Sequence, residues 1–216
     1  MSVGAGLSGQ QGRGKVLFDA SGTLANGTPL LVLSRSMSRS YLFLQNVGTS
    51  ALVFEFGPAR ATATITNGAV SAITVTNAGF GYSYPPTVEL LGGGGADLPY
   101  GNSNFLGIGQ DGAPSPNKPG SATCVMTGSA PNMSIASITV QGGGANYKTP
   151  PYVLIRNSSN DPYGCAIPTT TPASATSTGI LLAAGQSIIW TGDYCPIDQL
   201  AVVGVSGGQW TCKYST

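Results

Sequence analysis

The chain has 216 residues, of which 8% are charged and 41% are hydrophobic, and its formal net charge is +1 at pH 7. Soluble domains usually carry about 25% charged residues, so this composition argues against a freely solvated cytosolic enzyme and favours a chain whose surfaces are buried against other subunits. A charge so close to zero leaves no electrostatic basis for binding nucleic acid or an anionic membrane surface, and we expect neither partner.

Residues 1–14 are rich in Gly, Ser and Gln and contain almost nothing to bury, so they predict a flexible or extended arm. We expect a neighbouring subunit to order this arm, with Val3, Leu7 and Arg13 as its candidate partner-binding residues. The stretch lacks the apolar core of a signal peptide, and no run in the chain approaches the ~20 apolar residues of a membrane span.

The segment that follows predicts short strands separated by turns. Strand-like runs lie at 15–18, 30–36, 40–48 and 50–57, and turn residues fill 21–29. Asn46-Val47-Gly48-Thr49 separates the last two runs and predicts a hairpin between them.

An internal repeat occupies the middle of the chain. Residues 68–91 recur 65 positions later as residues 133–155, and between Val70 and Leu90 eight of 21 aligned positions are identical. The identical pairs are Ile73/Ile138, Thr74/Thr139, Val75/Val140, Gly79/Gly144, Tyr82/Tyr147, Pro85/Pro150, Pro86/Pro151 and Val88/Val153. A repeat of this kind defines the structural unit.

Each repeat predicts a strand, a glycine-led turn, a Pro-Pro pair and a second strand. The apolar runs are short, β-branched and partly alternating, which is typical of strands. Gly79 and Gly144 supply positive φ in the turn, and the prolines require the chain to enter the second strand at an edge or at its first position.

Tyr82 and Tyr147 recur in the same turn of each repeat. We expect each ring to lie over its turn, with the hydroxyl reaching water or a carbonyl. A platform that stacks sugars or bases is the functional alternative, but a structural tyrosine that closes the turn is favoured because the residue recurs in the same context.

Residues 58–177 predict an insertion. Residues 57–63 are echoed by 171–177, after which strand-like stretches resume at 179–192, 198–207 and 209–215. Removing the middle would leave an all-β domain of about 100 residues, a common domain size. We therefore expect a discontinuous β-sandwich or barrel domain, formed by 15–57 and 178–216, that carries an inserted β-domain at 58–177.

Within the insertion, 61–66 and 121–126 add a strand to each copy, so the repeats extend over 61–91 and 121–155. Residues 92–120 between them contain no periodic run, and loops of this length tend to be functional or disordered. Phe105, Leu106 and Ile108 in this loop are candidates for docking onto a partner, with a self-packed loop as the alternative. No stretch has helical periodicity and caps, so the predicted class is all-β.

The four cysteines, Cys124, Cys165, Cys195 and Cys212, have spacings that fit no metal site or disulfide framework. Cys195 and Cys212 could face each other across neighbouring strands. In a chain without a secretory signal, reduced and mostly buried thiols are favoured.

The chain has no histidine, which removes the commonest general base and the commonest metal ligand. Asp193 and Asp198 flank a turn-like stretch, where a solvated loop is favoured over a glycosidase pair. Asp97 and Asp111 could offer oxygen ligands to Ca²⁺ but lack the spacing of an EF-hand loop. We expect no catalytic residue, no metal and no cofactor.

The repeat resembles a short β-module of tailed-bacteriophage virion proteins. The pattern G-x-V-x-x-I-x-V-x-x-x-G-x-x-Y-x-x-x-P-x-V is met by Gly68, Val70, Ile73, Val75, Gly79, Tyr82, Pro86 and Val88. The second copy meets it at Ile135, Ile138, Val140, Gly144, Tyr147, Pro151 and Val153, but has Asn132-Met133 where the leading glycine would be. The flanks, 38–57 and 179–204, are similar to small phage proteins of the head-decoration or head-fibre type.

This resemblance implies a non-enzymatic structural protein on the capsid surface of a virion, made in the host cytoplasm. It implies a capsid decoration, or cement, protein that binds the major capsid protein and itself, most plausibly as a trimer. The alternative is a tail or fibre component that binds a receptor glycan, for which Tyr82, Tyr84 and Tyr147 would form an exposed face.

Overall fold

The computed structural model describes residues 16–25, 27–93, 120–158, 163–168 and 179–216. Throughout these residues the chain is all-β, as predicted, apart from one turn of 3₁₀ helix at Gly192–Tyr194. The strands, numbered in chain order, are β1 (Phe18–Asp19), β2 (Gly22–Thr23), β3 (Leu30–Leu33), β4 (Tyr41–Asn46), β5 (Leu52–Phe56), β6 (Arg60–Thr66), β7 (Ala69–Asn77), β8 (Thr87–Leu91), β9 (Ser121–Thr127), β10 (Ser134–Gly142), β11 (Tyr152–Arg156), β12 (Ile180–Leu182), β13 (Ser187–Thr191), β14 (Leu200–Gly204) and β15 (Gln209–Ser215). The expected binding residues Val3, Leu7, Arg13, Phe105, Leu106 and Ile108 lie outside the described residues.

Two antiparallel sheets form a small sandwich. Sheet 1 has the order β1-β15-β4-β13, with β2 also paired to β15, and sheet 2 has the order β12-β5-β14-β3. In β4 alternate side chains are buried, as period-2 patterning requires when one face of a strand covers a core. The two sheets contribute to one core, made of Leu24, Leu33, Leu42, Leu44, Leu52, Phe54, Leu182, Cys195, Leu200, Val202, Trp210 and Cys212.

The predicted hairpin at Asn46–Thr49 is wrong. Strand β4 pairs with β13 and β15 in sheet 1, whereas β5 pairs with β12 and β14 in sheet 2, so residues 47–51 cross between the sheets. Asn46, fully buried, fixes this corner: its Nδ2 donates to the carbonyls of Ser50 and Leu182, both at 2.8 Å, and its Oδ1 accepts the N–H of Gly48 at 3.0 Å. These residues do form a turn, but the turn carries the chain from sheet 1 to sheet 2, so that β4 and β5 cover the same core.

The stretch 179–192 also divides at a corner. It forms β12 in sheet 2 and β13 in sheet 1, separated by a turn in which the N–H of Gln186 donates to the carbonyl of Ala183 at 3.0 Å. The N–H of Gly185 donates to the carbonyl of Asn46 at 2.9 Å. The two crossings therefore lie side by side at one end of the sandwich.

The six strands of the repeats form a third sheet of order β10-β9-β8-β11-β6-β7. Its outer strands meet through hydrogen bonds from Val70 N–H to the Gly143 carbonyl (2.7 Å) and from Ile135 N–H to the Ala78 carbonyl (2.9 Å). The sheet is thus a nearly closed barrel, called the barrel below. Its core consists of Ala59, Ala61, Val70, Ile73, Tyr82, Ile135, Ile138, Tyr147, Val153 and Ile155.

The two repeats are interleaved in the barrel. Each supplies three strands, and β7 and β8 recur 65 residues later as β10 and β11. The third strand of each copy lies beside the first strand of the other, because β8 pairs with β9 and β11 pairs with β6. The two third strands also pair with each other, over Thr87–Leu91 and Tyr152–Arg156. Since each strand needs partners from the other copy, one repeat alone cannot complete its sheet.

Candidate functional site

The repeated tyrosines lie inside the barrel. Tyr82 is 0% exposed and Tyr147 is 5% exposed. The Tyr82 hydroxyl accepts the N–H of Ala59 at 2.9 Å, and the Tyr147 hydroxyl accepts the N–H of Gly120 at 2.9 Å. Ala59 and Gly120 each directly precede the first strand of their repeat. Each tyrosine therefore closes its own repeat by accepting a backbone N–H, which agrees with the structural interpretation.

The expected aromatic face around Tyr82, Tyr84 and Tyr147 does not form, because only Tyr84 among them is exposed, at 54%. Both turns use the positive φ expected of their glycines, with φ of 62° at Gly79 and 69° at Gly144. The strands β8 and β11 begin directly after Pro86 and Pro151. The prolines thus occupy the position before a strand's first residue, where their missing N–H costs no ladder hydrogen bond.

Residues 163–168, called the clamp segment, join the barrel to the sandwich. Cys165 exchanges two backbone hydrogen bonds with Phe80, at 2.8 and 2.9 Å, and Ala166 N–H donates to the Gly57 carbonyl at 2.8 Å. The Gly164 carbonyl accepts from Asn157 of the barrel side at 2.7 Å and from Gln199 of the sandwich side. Four of the six residues in the segment are buried, so it is a structural joint.

The ring of Tyr82 is held between two glycines. A Cβ placed on Gly164 would lie 2.1 Å from Cε1 of Tyr82, and a Cβ on Gly79 would lie 2.8 Å from its Cε2. Both distances are far below van der Waals contact, so each position requires glycine. The clamp segment thereby couples the first tyrosine to the joint between the two cores.

A cleft of about 620 Å³ lies between the sandwich and the barrel. It opens where β6 and β11 diverge, since Tyr152 and Thr62 are the one residue pair that joins these strands in the described part of the chain. Strands β6 and β11 form its barrel wall, and Arg35, Phe56, Asp198 and Gln199 lie on its sandwich wall. Tyr152, at 68% exposed, is its accessible aromatic side chain on the barrel wall.

The three arginines of the cleft, Arg35, Arg60 and Arg156, are all paired with carboxylates. The N–O distances are 3.8 Å from Arg35 to Asp198, 2.5 Å from Arg60 to Glu55 and 3.0 Å from Arg156 to Glu89. Glu55 is buried, whereas the Arg35–Asp198 pair is half exposed. The pairing compensates the cations, so the cleft has no excess positive charge to attract an anion.

Arg39 is a buried cation without a carboxylate among its described hydrogen-bond partners. It is 4% exposed, and its guanidinium donates to the carbonyls of Ser34 (2.6 Å), Pro196 (2.7 Å) and Asp198 (2.9 Å). Burial lowers its pKa, because desolvation disfavours the charged form. Ser34 directly follows β3, and Pro196 and Asp198 precede β14, the strand that pairs with β3. Arg39 therefore ties residues 34–39 to the 196–198 loop.

Two of the four candidate acids, Asp193 and Asp198, lie among the described residues. Asp193 lies exposed in the 3₁₀ turn, and Asp198 is used by Arg35, while Asp97 and Asp111 fall outside the described residues. Among the residues that the structure describes, no group of three or more His, Cys, Asp or Glu side chains is placed to hold a metal ion.

All four cysteines are free, and three of them are buried, as expected; Cys195 and Cys212 form no disulfide. Desolvation by burial raises the pKa of Cys165 and of Cys212 to about 12 and that of Cys124 to about 11. These thiols stay protonated at neutral pH and are therefore poor nucleophiles.

Sequence reasoning missed Arg39, the corner role of Asn46 and the clamp segment. The apolar run Gly164-Cys165-Ala166-Ile167-Pro168, set in a polar stretch, was the one available signal for the clamp. Nothing local marks Arg39 as buried, because all three of its partners are backbone carbonyls.

No helix in the described ranges is long and apolar enough to cross a membrane. Comparisons with protein-family descriptions, with curated proteins and with solved structures found no match to this chain.

Proposed function

We propose that the chain is a non-enzymatic structural protein of a tailed-bacteriophage virion, and that it acts on the capsid surface as a decoration, or cement, protein. Its partners would be the major capsid protein and further copies of itself. The proposal originates in two resemblances, that of the repeats to a module of tailed-phage virion proteins and that of the flanks to head-decoration or head-fibre proteins.

The surface of the described residues is the observation that carries it. Large apolar side chains are exposed on many elements of a chain with only 8% charged residues. Examples are Val16 (66%), Met37 (71%), Ile189 (56%) and Val205 (56%). Exposed large apolar side chains on a surface with so few charges support a subunit that is covered by its neighbours. Burial of this surface and pairing of open strand edges would supply the binding energy.

The arm, residues 1–14, and the loop, residues 92–120, are the proposed contacts with the major capsid protein. The test is co-sedimentation of the purified chain with empty capsids of the phage that encodes it. We expect saturable binding that is weakened by a triple substitution of Phe105, Leu106 and Ile108 to serine. Substitution of Asn102, Ser103 and Asn104 to alanine in the same loop is the matched control and should bind like the parent. A chain that stays in the supernatant at all capsid concentrations would refute the proposal.

The second candidate function is that of a tail or fibre protein that binds glycans. Because Tyr82 and Tyr147 are buried, a glycan would have to bind in the cleft. Tyr152 offers an exposed ring there, and the arginine–carboxylate pairs offer planar polar groups for sugar hydroxyls. A glycan array separates the candidates: hits that disappear in Tyr152→Ala but remain in Tyr194→Ala, another exposed tyrosine, favour the tail or fibre role. An array without hits removes it.

A further inference from the structure

Within the described part of the chain, strand β13 is an open and unprotected sheet edge. It is the last strand of sheet 1 and pairs with β4 alone among the described residues. Its sequence, Ser-Ile-Ile-Trp-Thr, contains no charged residue and no proline, and Ile189 at its centre is 56% exposed. Proteins usually protect sheet edges with charges, prolines, bulges or short strands, because an open edge is a template for pairing with another chain.

The other sheet edges are protected or closed. Strand β1 has two residues and carries the ion pair of Asp19 with Lys213, and β12 has three residues. Strand β3 follows Pro29 and has a register shift against β14. The barrel's outer strands are joined to each other. Strand β13 is therefore the longest edge of the described sandwich and lacks every one of these protections.

The hydrogen bonds to β4 show which backbone groups of β13 face outward. Gln186 accepts from the N–H of Asn46, and Gly192 donates to the carbonyl of Ser40, both at 2.9 Å. Since residues of an antiparallel pair alternate between bonded and non-bonded positions, the even-numbered residues of β13 bond to β4. The N–H and C=O groups of Ser187, Ile189 and Thr191 consequently point away from β4, toward the open edge.

We infer that β13 pairs antiparallel with β13 of a second copy of this chain, with the two Ile189 residues opposite each other at a two-fold axis. In that register Ile189 exchanges both backbone hydrogen bonds with its equivalent, and Ser187 does so with Thr191 of the second copy. All outward groups of the strand find partners, and the edge is complementary to itself, as a two-fold contact requires.

The side chains fit the same register. Ile188 lies opposite Trp190 of the second copy on the inner face, in the non-bonded pair where side chains are closest. Both are half-buried in the single chain and pack against the sandwich core. The strand carries no charge, so no like charges face each other across the pair. Sheet 1 then continues through both copies.

This contact is two-fold, so the trimer expected from the resemblance would need a different surface. The inference concerns the isolated chain and does not use the capsid proposal. Its cross-linking and sedimentation tests need no capsids, and the inference and the capsid proposal can each fail without the other.

Cysteine cross-linking gives the most specific test. Residues in a bonded antiparallel pair have Cα atoms about 5.5 Å apart, within the range that a disulfide spans. We expect mild oxidation to convert most of Ile189→Cys to a covalent dimer. Val205→Cys is the matched control, because Val205 is equally exposed at 56% but lies off the edge. It should cross-link no more than the parent chain, whose own four cysteines set the background.

Sedimentation equilibrium supplies the second readout. The parent should show a mass twice that of the monomer, and Ile189→Lys should raise the dissociation constant by about tenfold or more, since charge on an edge strand blocks pairing. Val205→Lys should leave it unchanged, and circular dichroism checks that both variants fold. A monomeric parent together with background cross-linking at position 189 would overturn the inference, as would a dimer insensitive to Ile189→Lys. A monomer that loses capsid binding in Ile189→Lys would instead assign the edge to a strand of the capsid protein.

Discussion

The hydroxyl of Tyr82 accepts the N–H of Ala59 in a buried site. Removing an acceptor there leaves the donor unsatisfied, which costs about 1–3 kcal/mol. We expect Tyr82→Phe to lower the free energy of unfolding by an amount in this range, measured by urea denaturation. Tyr147→Phe should cost less, because the Gly120 N–H that it satisfies is only partly buried.

Tyr152→Phe is the control for this pair, since Tyr152 lies in the same barrel but is 68% exposed. It should change stability by no more than about 0.5 kcal/mol. Equal effects in all three variants would contradict the assignment of the repeated tyrosines as internal closures.

Replacement of Arg39 should be costly, because its guanidinium is buried and holds three backbone carbonyls. Lysine keeps the charge but cannot place donors on three carbonyls in the fork geometry of a guanidinium. The buried ammonium group and some of the three carbonyls would therefore be left without hydrogen-bond partners. We expect Arg39→Lys to destabilise the chain by about 2–4 kcal/mol in thermal or chemical unfolding. Arg35→Lys, in a half-exposed pair at 3.8 Å, should cost under about 1 kcal/mol.

The packing of the clamp segment against Tyr82 requires that residue 164 has no side chain. A methyl group there would overlap the buried ring of Tyr82, and overpacking of this kind costs about 1–3 kcal/mol. We expect Gly164→Ala to lower the free energy of unfolding by this amount, measured by urea denaturation. Gly142→Ala is the comparison, because its Cβ would meet only the movable Ser121 Oγ at 3.3 Å; a loss as large as that of Gly164→Ala would argue against the clamp.

The elements divide into those that local sequence predicts and those that it does not. The strands of the repeats were predictable, because alternation and the Gly…Tyr…Pro-Pro spacing are local signals that occur twice. The corner at Asn46 was not, because the same turn residues suit a hairpin and a crossing. Only the distant strands β13 and β15, which pair with β4, decide between them.

Interleaving of the repeats was equally invisible in the sequence. Pairing of β8 with β9 and of β6 with β11 joins segments from different copies, and no residue marks such a partner. The cleft results from the pairing of β6 with β11, because it opens where these two strands diverge. The candidate site is thus a product of long-range topology, whereas the repeated tyrosines are marked by their spacing in the sequence.

At the scale of the molecule, the ends of the proposed insertion are close in space. Strand β5 pairs antiparallel with β12, with Phe54 opposite Ile180, so a short loop could join residue 57 to residue 179. We expect a chain in which a Gly-Ser linker of about five residues replaces 58–178 to keep β-type circular dichroism and to unfold cooperatively. An unfolded product would show that the sandwich needs the clamp segment, and hence that the insertion is not separable.

Large apolar side chains that remain exposed in the single chain support the proposal that other subunits of a virion cover it. The direct test is electron microscopy of intact particles of the encoding phage, with the chain carrying a C-terminal gold-binding tag. We expect label over the head, in a lattice that follows the major capsid protein. Label confined to the tail, or particles without label, would contradict it.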